Sequence, residues 1–143
     1  MPNVSDVLRV KGDQVATVTA DSTVLDAARL MNDRRIGSVV VVEGDRPIGI
    51  FTERDVLTRV VAAERSAATT RIHEVMTVGI MTCSPNADLD ILRALMREKH
   101  VRHIPVVHDG RLCGMISIGD LNQVEVRVLV ESLHYLEQYS VRT

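Results

Sequence analysis

Two short segments carry the residue types and spacing that could hold a ligand. Gly49-Ile50-Phe51-Thr52-Glu53-Arg54-Asp55 and Gly114-Met115-Ile116-Ser117-Ile118-Gly119-Asp120 share one pattern: a glycine, two apolar residues, a hydroxyl and, three residues on, a carboxylate. A hydroxyl leaving the end of a strand and a carboxylate entering the first turn of a helix can do two things. They can close a capping box, in which Thr52 or Ser117 accepts from the N3 amide and Asp55 or Asp120 favours the helix dipole. Alternatively, the carboxylate can accept both hydroxyls of a ribose while the side-chain hydroxyl and free helical amides hold phosphate. Each charged hydrogen bond of that kind is worth about 1.5–3 kcal/mol. A cap accounts for either copy taken alone; a pairing that occurs twice at symmetric positions favours the ligand.

Phosphate also needs positive charge, and here the two copies differ. Lys99-His100-Val101-Arg102-His103 precedes the central strand of the second half, where the aligned part of the first half ends in neutral Gly37-Ser38. This basic run could serve phosphate, or Lys99 and Arg102 could simply solvate a helix C-terminus. Arg54, inside the first motif, is a further phosphate candidate, and Gly119 stands at its counterpart. The two sites are therefore not expected to be equivalent, and one can stay empty. His100, His103 and His108 with Cys113 have neither the i, i+4 helical spacing nor the compact Cys-His signature of a zinc centre, so no metal is expected. No nucleophile elbow organises hydroxyl, histidine and carboxylate, and a binding protein is expected rather than an enzyme.

These residues must be placed by a compact fold. At 143 residues the chain suffices for one domain or two small subdomains sharing a core. Seventeen basic against nineteen acidic residues leave no positive excess for a nucleic-acid backbone. Purely apolar runs such as Val39 to Val42 reach only four residues, far short of a membrane span, and Met1 to Arg9 lacks the regions of a signal peptide, so a cytoplasmic protein is expected. Cys83 and Cys113 form no CxxC and read as reduced, buried thiols. With aromatics at 2%, the core and any base-binding wall must be aliphatic.

Compared with itself, the chain superimposes Thr17–Asp55 on Thr82–Asp120 at an offset of about 65 residues. Leu30-Met31 falls on Leu95-Met96, Val41-Val42 on Val106-Val107, and Arg46 on Arg111. Val4 to Leu8 resembles Ile72 to Met76 only after a further shift of three, the extra residues lying around Lys11-Gly12-Asp13. Each repeat reads as strand, helix, hairpin, helix. In the first, the strand is Val15–Val18, and a helix capped near Asp21, Ser22 or Thr23 carries Val24, Ala27, Ala28 and Met31 at i, i+3, i+4, i+7. Strands Ser38–Val42 and Ile48–Phe51 follow, then a helix over about Arg54–Ala63. The second gives Met81–Cys83, a helix over Leu89–Lys99, His103–Val107, Cys113–Ile116 and a helix from Asp120. The expected fold is α/β (α+β): two βαββα repeats about a pseudo-two-fold axis, sheets packed against each other and helices outside. The expected boundaries are 4–63 and 72–130 for the repeats, 64–71 for a linker and 131–143 for a C-terminal helical extension.

On the repeat, the helix pair, the Gly37–Val42 and His103–Val107 strands and both terminal motifs, nearly the whole chain resembles the tandem cystathionine-β-synthase-type (CBS) domain pair, or Bateman module. The resemblance implies a regulatory module binding AMP, ADP or ATP, less commonly NAD(H) or S-adenosylmethionine, between its repeats, with AMP first and no metal required. It implies ribose at Asp55 and Asp120, phosphate near Thr52 and Ser117 and at Arg102 and His103, and adenine among Thr17, Val18, Ile36, Val39, Thr82, Cys83, Val101 and Ile104. It implies a homodimer, and, with no fused effector domain expected, a separate protein is the expected target. The last helix supports the dimer: Val126, Leu129, Leu133 and Leu136 form one stripe, adjoined by Leu121, Val124 and Val128, and the part beyond Val130 outruns its own repeat. The competing reading is an interaction module whose clefts have lost their ligand and whose motifs survive as caps.

Overall fold

The computed structural model describes residues 2–137. The first repeat runs β1 (Thr17–Val18), α2 (Val24–Arg34), β2 (Ser38–Glu43), β3 (Arg46–Thr52) and the short α3 (Glu53–Asp55), after an opening helix α1 (Val4–Lys11). The second runs α5 (Leu89–Lys99), β4 (His103–His108), β5 (Arg111–Ser117) and α6 (Ile118–Glu137), after α4 (Ile72–Val75). Local chemistry sets these bounds. Thr23 and Asp26 close a capping box on α2 and Asp88 caps α5, while Arg35 and His100 end the same two helices in the left-handed conformation, at φ 53° and 55°. Both hairpins turn through two residues, Gly44-Asp45 and Asp109-Gly110, the second with both φ positive as a tight turn requires.

The repeats agree in detail. The β2–β3 register slips between Val41 and Val42, and the β4–β5 register slips at the matching Val106/Val107. They differ in two places. The strand expected over Met81–Cys83 is reduced to a single parallel bridge from Cys83 to Val106, where the first repeat keeps a two-residue β1 beside β2. The helix expected over Arg54–Ala63 is a turn of α-helix that passes into π-helix over Val56–Val61, with Ala62 N–H donating to the Leu57 carbonyl. Its counterpart α6 runs unbroken through position 130. Of its apolar stripe, Leu121 is fully buried and Leu129, Val130 and Leu133 are exposed; the side chains of Val126, Val128 and Leu136 and residues 138–143 lie outside the described residues. No helix among the described residues is long and apolar enough to cross a membrane.

The opening helices are exchanged between the repeats. Val4 and Val7 of α1 pack with Leu89, Leu92, Ile104 and Ile116 in the second core, and Ile72 and Val75 of α4 pack with Val24, Val39 and Phe51 in the first. Matching backbone bonds hold them there. Val4 N–H donates to the Ala87 carbonyl (3.0 Å) and Ser5 N–H to Pro85 (2.9 Å), while Ile72 N–H donates to Ser22 (2.8 Å) and His73 N–H to Ala20 (3.0 Å). Each fully buried Val or Ile contributes about 1.5–3 kcal/mol, so neither repeat completes its core without the other's helix. The two sheets meet over Val40, Ile50 and Met115, flanked by Val15, Val42, Ile80 and Leu112.

Close backbone approach explains the first residue of each motif. A Cβ on Gly114 would lie 2.7 Å from the Leu8 side chain of α1, and one on Gly49 would lie 2.8 Å from Met76 Sδ and 3.0 Å from the Thr77 carbonyl. The glycines let the exchanged segments cross β5 and β3 directly beside the motif ends.

Candidate functional site

Because β3 and β5 pack face to face, the motif that ends each strand points across the pseudo-two-fold axis, at the helix-to-strand turn of the other repeat. Two hollows result. The first, of about 560 Å³, sets Thr52, Arg54 and Asp55 of repeat 1 against Val101, Arg102 and His103 of repeat 2. The second, of about 300 Å³, sets Ser117 and Asp120 of repeat 2 against Val15, Ala16 and Ile36 of repeat 1. Ligand cavities commonly measure about 300–1,000 Å³, which places the first well inside that range and the second at its lower limit.

Both motifs close their capping boxes. Thr52 N–H donates to Asp55 Oδ2 (3.0 Å) and Asp55 N–H to Thr52 Oγ1 (3.2 Å); Ser117 N–H donates to Asp120 Oδ2 (2.8 Å) and Asp120 N–H to Ser117 Oγ (3.1 Å). The following amide is also used: Glu53 N–H donates to the Gly37 carbonyl (3.0 Å) and Ile118 N–H to the matching Arg102 carbonyl (2.8 Å). The helix starts thus offer fewer free amides than the motif alone implies. The cap does not exhaust the carboxylate, however, since it takes one of two oxygens. At Asp55, whose side chain is almost wholly buried, Oδ1 lies 3.5 Å from Arg59 Nε, one turn along its own helix. At Asp120, Oδ2 also takes the Lys11 ammonium at 2.7 Å.

Of the residues expected at phosphate, Thr52, Arg54, Arg102 and His103 come together in the first hollow, and Ser117 lies in the second. His103 borders both. Burial lowers its pKa, Lys11 and Arg102 push the same way, and Glu53 and Asp120 oppose them. His103 is accordingly a neutral hydrogen-bonding group at neutral pH, and the formal cations of the first hollow are Arg54 and Arg102.

The residues expected at adenine divide. Val101 lines the first hollow and Ile36 the second. Val39 and Ile104 have no exposed surface; the central strands are covered on both faces, so these two back the walls from the core. The chain crosses the second hollow just before β1, at Val15-Ala16, which leaves Val18 on the first core and Thr17 on a separate recess of about 190 Å³ beside Asp45 and Leu112. Thr82 is exposed, Cys83 packs on the second core, and Thr77 lines the first hollow instead of either. Burial, with Cys113 beside it, pushes the Cys83 thiol up to about 11, and burial followed by Asp13 raises Cys113, so both stay protonated at neutral pH. Among the described residues, no three His, Cys, Asp or Glu side chains gather in a metal-holding group. Lining residues that sequence reasoning missed include Lys11, Val15, Ala16, Ile50, Glu53 and Thr77; the three-residue insertion at Lys11-Gly12-Asp13 was the visible signal for the first.

Compared with protein families, the chain matches the CBS domain over residues 4–62 and again over 72–126. A mitochondrial CBS domain-containing protein of Arabidopsis thaliana is 35% identical over 95% of this chain and 70% of its own length. A solved structure of a protein with CBS domains from Burkholderia ambifaria is 40% identical, with a TM-score of 0.84 over 88% of this chain and 95% of that one. The fold is also that of a CBS domain pair solved in complex with 5′-methylthioadenosine and S-adenosyl-L-methionine, at a TM-score of 0.78 and 21% identity over 87% of this chain and 95% of that one. Two matched domains, on two repeats that exchange their opening helices and enclose two hollows, carry the conclusion that this chain belongs to the CBS domain family as a tandem pair.

Proposed function

We propose that this chain is a regulatory module that binds an adenine nucleotide in its first hollow, AMP ahead of ADP and ATP, and passes the occupancy on to a separate protein. The observation that carries the reading is the composition of that hollow. A buried carboxylate with one oxygen beyond its cap, a hydroxyl at a helix start and two arginines from opposite repeats face each other across about 560 Å³ with aliphatic Ile50 and Val101 in the wall. Asp55 fits ribose hydroxyls, Thr52, Arg54 and Arg102 fit phosphate, and the apolar wall fits a base. A pair of the same fold takes adenosine compounds, which supports this class of ligand.

A ligand that touches both repeats favours whichever packing of the sheets suits it, and it signals only through that difference in affinity. The exposed Leu129, Val130 and Leu133 of α6 fit a homodimer, which would carry such a change onward. A second reading, an interaction module without a ligand, is favoured by the capping boxes, which already give both motifs a structural task. A thermal-shift panel of AMP, ADP, ATP, NADH and S-adenosylmethionine separates the two. A ligand at 100 times its Kd adds about 2.7 kcal/mol, roughly 5–10 °C in Tm for a chain of this size. A selective shift supports the sensor; no shift with any of the five turns the assignment to the interaction module.

A further inference from the structure

We infer that the second hollow is closed to ribose by this chain's own Lys11, so that the pair takes up nucleotide at the Asp55 hollow alone until that lysine is displaced; the inference rests on the nucleotide reading above. The helix exchange sets the device up. It lays α1 across β5, so that the helix ends beside Ser117–Asp120 of the other repeat, and its last residue is Lys11. The Lys11 ammonium donates to Asp120 Oδ2 at 2.7 Å and to the Met115 carbonyl at 2.8 Å. Lys11 and Asp120 together line the wall of the hollow, with the Asp120 side chain only 15% exposed. The ammonium shares Oδ2 with the cap, so what it takes from a ribose is the space beside the carboxylate, in the smaller of the two hollows.

The first hollow lacks this arrangement. The cation near Asp55 is Arg59, which reaches it through Nε at 3.5 Å, gives its terminal nitrogen to the Val75 and Met76 carbonyls, and is not part of the lining. The sequence explains why only one side has the device. The register between repeats changes from 68 residues at Val4/Ile72 to 65 at Thr17/Thr82, and the three residues that make up the difference lie around Lys11-Gly12-Asp13. Gly12, at φ 97°, turns the chain away directly after the lysine.

Calorimetric titration of AMP into the full chain and into its Lys11→Met variant tests this. The expected result is one equivalent for the wild type and two for Lys11→Met, with Asp55→Ala in the Lys11→Met background keeping one. Two equivalents in the wild type, one in Lys11→Met, or weaker uptake by Lys11→Met overturns the inference, the last because it would make Lys11 a phosphate ligand. A second arm needs no nucleotide. Lys11 and Lys99 are the chain's two lysines, so acetylation by an N-hydroxysuccinimide ester, mapped by mass spectrometry, compares Lys11 with a built-in control. Lys11 should react several-fold more slowly than Lys99 in the wild type and at a similar rate in Asp120→Asn; equal rates in the wild type overturn the closure. If neither protein takes up AMP, the nucleotide reading falls by itself, and a protected Lys11 still shows the contact in solution.

Discussion

Replacing Gly49 by alanine probes the helix exchange on which both hollows depend. The new Cβ would meet Met76 Sδ at 2.8 Å, Met76 Cγ at 3.3 Å and the Thr77 carbonyl oxygen at 3.0 Å. The thioether can rotate aside, but the carbonyl is fixed: it accepts from Ile50 N–H at 3.0 Å, and Thr77 N–H donates back to the Ile50 carbonyl at 2.9 Å. Relief therefore stretches the pair of bonds tying the segment after α4 to β3. Overpacking of this kind costs about 1–3 kcal/mol, offset by about 0.4–1 kcal/mol from the stiffer unfolded chain, for a net loss of about 1–2 kcal/mol. Gly114→Ala is the internal comparison. Its Cβ meets only the tip of Leu8, at 2.7 and 2.9 Å, a side chain free to change rotamer, so its net cost should stay below about 1 kcal/mol. Urea unfolding followed by circular dichroism reads both, and Met76→Ala should recover only part of the Gly49→Ala loss because the carbonyl remains. Because β3 ends at Thr52, Gly49→Ala should also weaken nucleotide uptake. A Gly49→Ala protein as stable as the wild type, or more stable than Gly114→Ala, would refute the packing of α4 against β3.

Three further outcomes follow from the same structure. Since the folded pKa of His103 lies below its ordinary 6.5, the unfolded chain binds that proton more tightly; stability is full above about pH 6.5 and falls as pH drops toward the folded value. His103→Asn should flatten that slope in Tm between pH 7.5 and 5.5, and an unchanged slope would contradict the placement. With the Cys83 pKa pushed up to about 11 and Cys113 raised, Ellman's reagent should modify the native protein slowly at pH 7.5 and both thiols rapidly in denaturant; a fast native reaction would contradict the partial burial of these two thiols. Leu133→Glu, which places charge on an exposed apolar position of α6, should convert the proposed dimer to a monomer in light scattering with little change in folding, and an unaltered mass would place the dimer contact elsewhere.

Much of this architecture is legible because local signals and burial agree. A cap near Asp21–Thr23 followed by the i, i+3, i+4 spacing from Val24 to Met31 places the start of α2, and the span expected over Leu89–Lys99 is that of α5. The offset of 65 pairs the hairpins correctly, and the doubled motif marks the ends of β3 and β5. The helix exchange escapes such reasoning, because Val4–Leu8 and Ile72–Met76 have the same apolar pattern whichever core receives them; only the change of offset hints at it. Strand positions mislead for a related reason. Val39 and Ile104 are as apolar as a base-binding wall would be, but strands covered on both faces bury such residues outright, and alternation cannot tell wall from core. The insertion at Lys11-Gly12-Asp13 marks the place of Lys11, but its partner Asp120 lies 109 residues away and nothing in the sequence pairs them.

The most direct test of the central claim is calorimetric titration of AMP into the wild-type chain, Asp55→Ala and Asp120→Ala, with the fold of each checked by its melt. If Asp55 holds ribose hydroxyls in the open hollow, its loss removes a charged hydrogen bond worth about 1.5–3 kcal/mol, and Kd rises about tenfold or more, while loss of the cap costs about 1 kcal/mol of stability. Asp120→Ala should leave that affinity unchanged. Binding unaffected by Asp55→Ala, or a variant that loses stability while no nucleotide binds the wild type, would contradict the account and leave the motifs as helix caps.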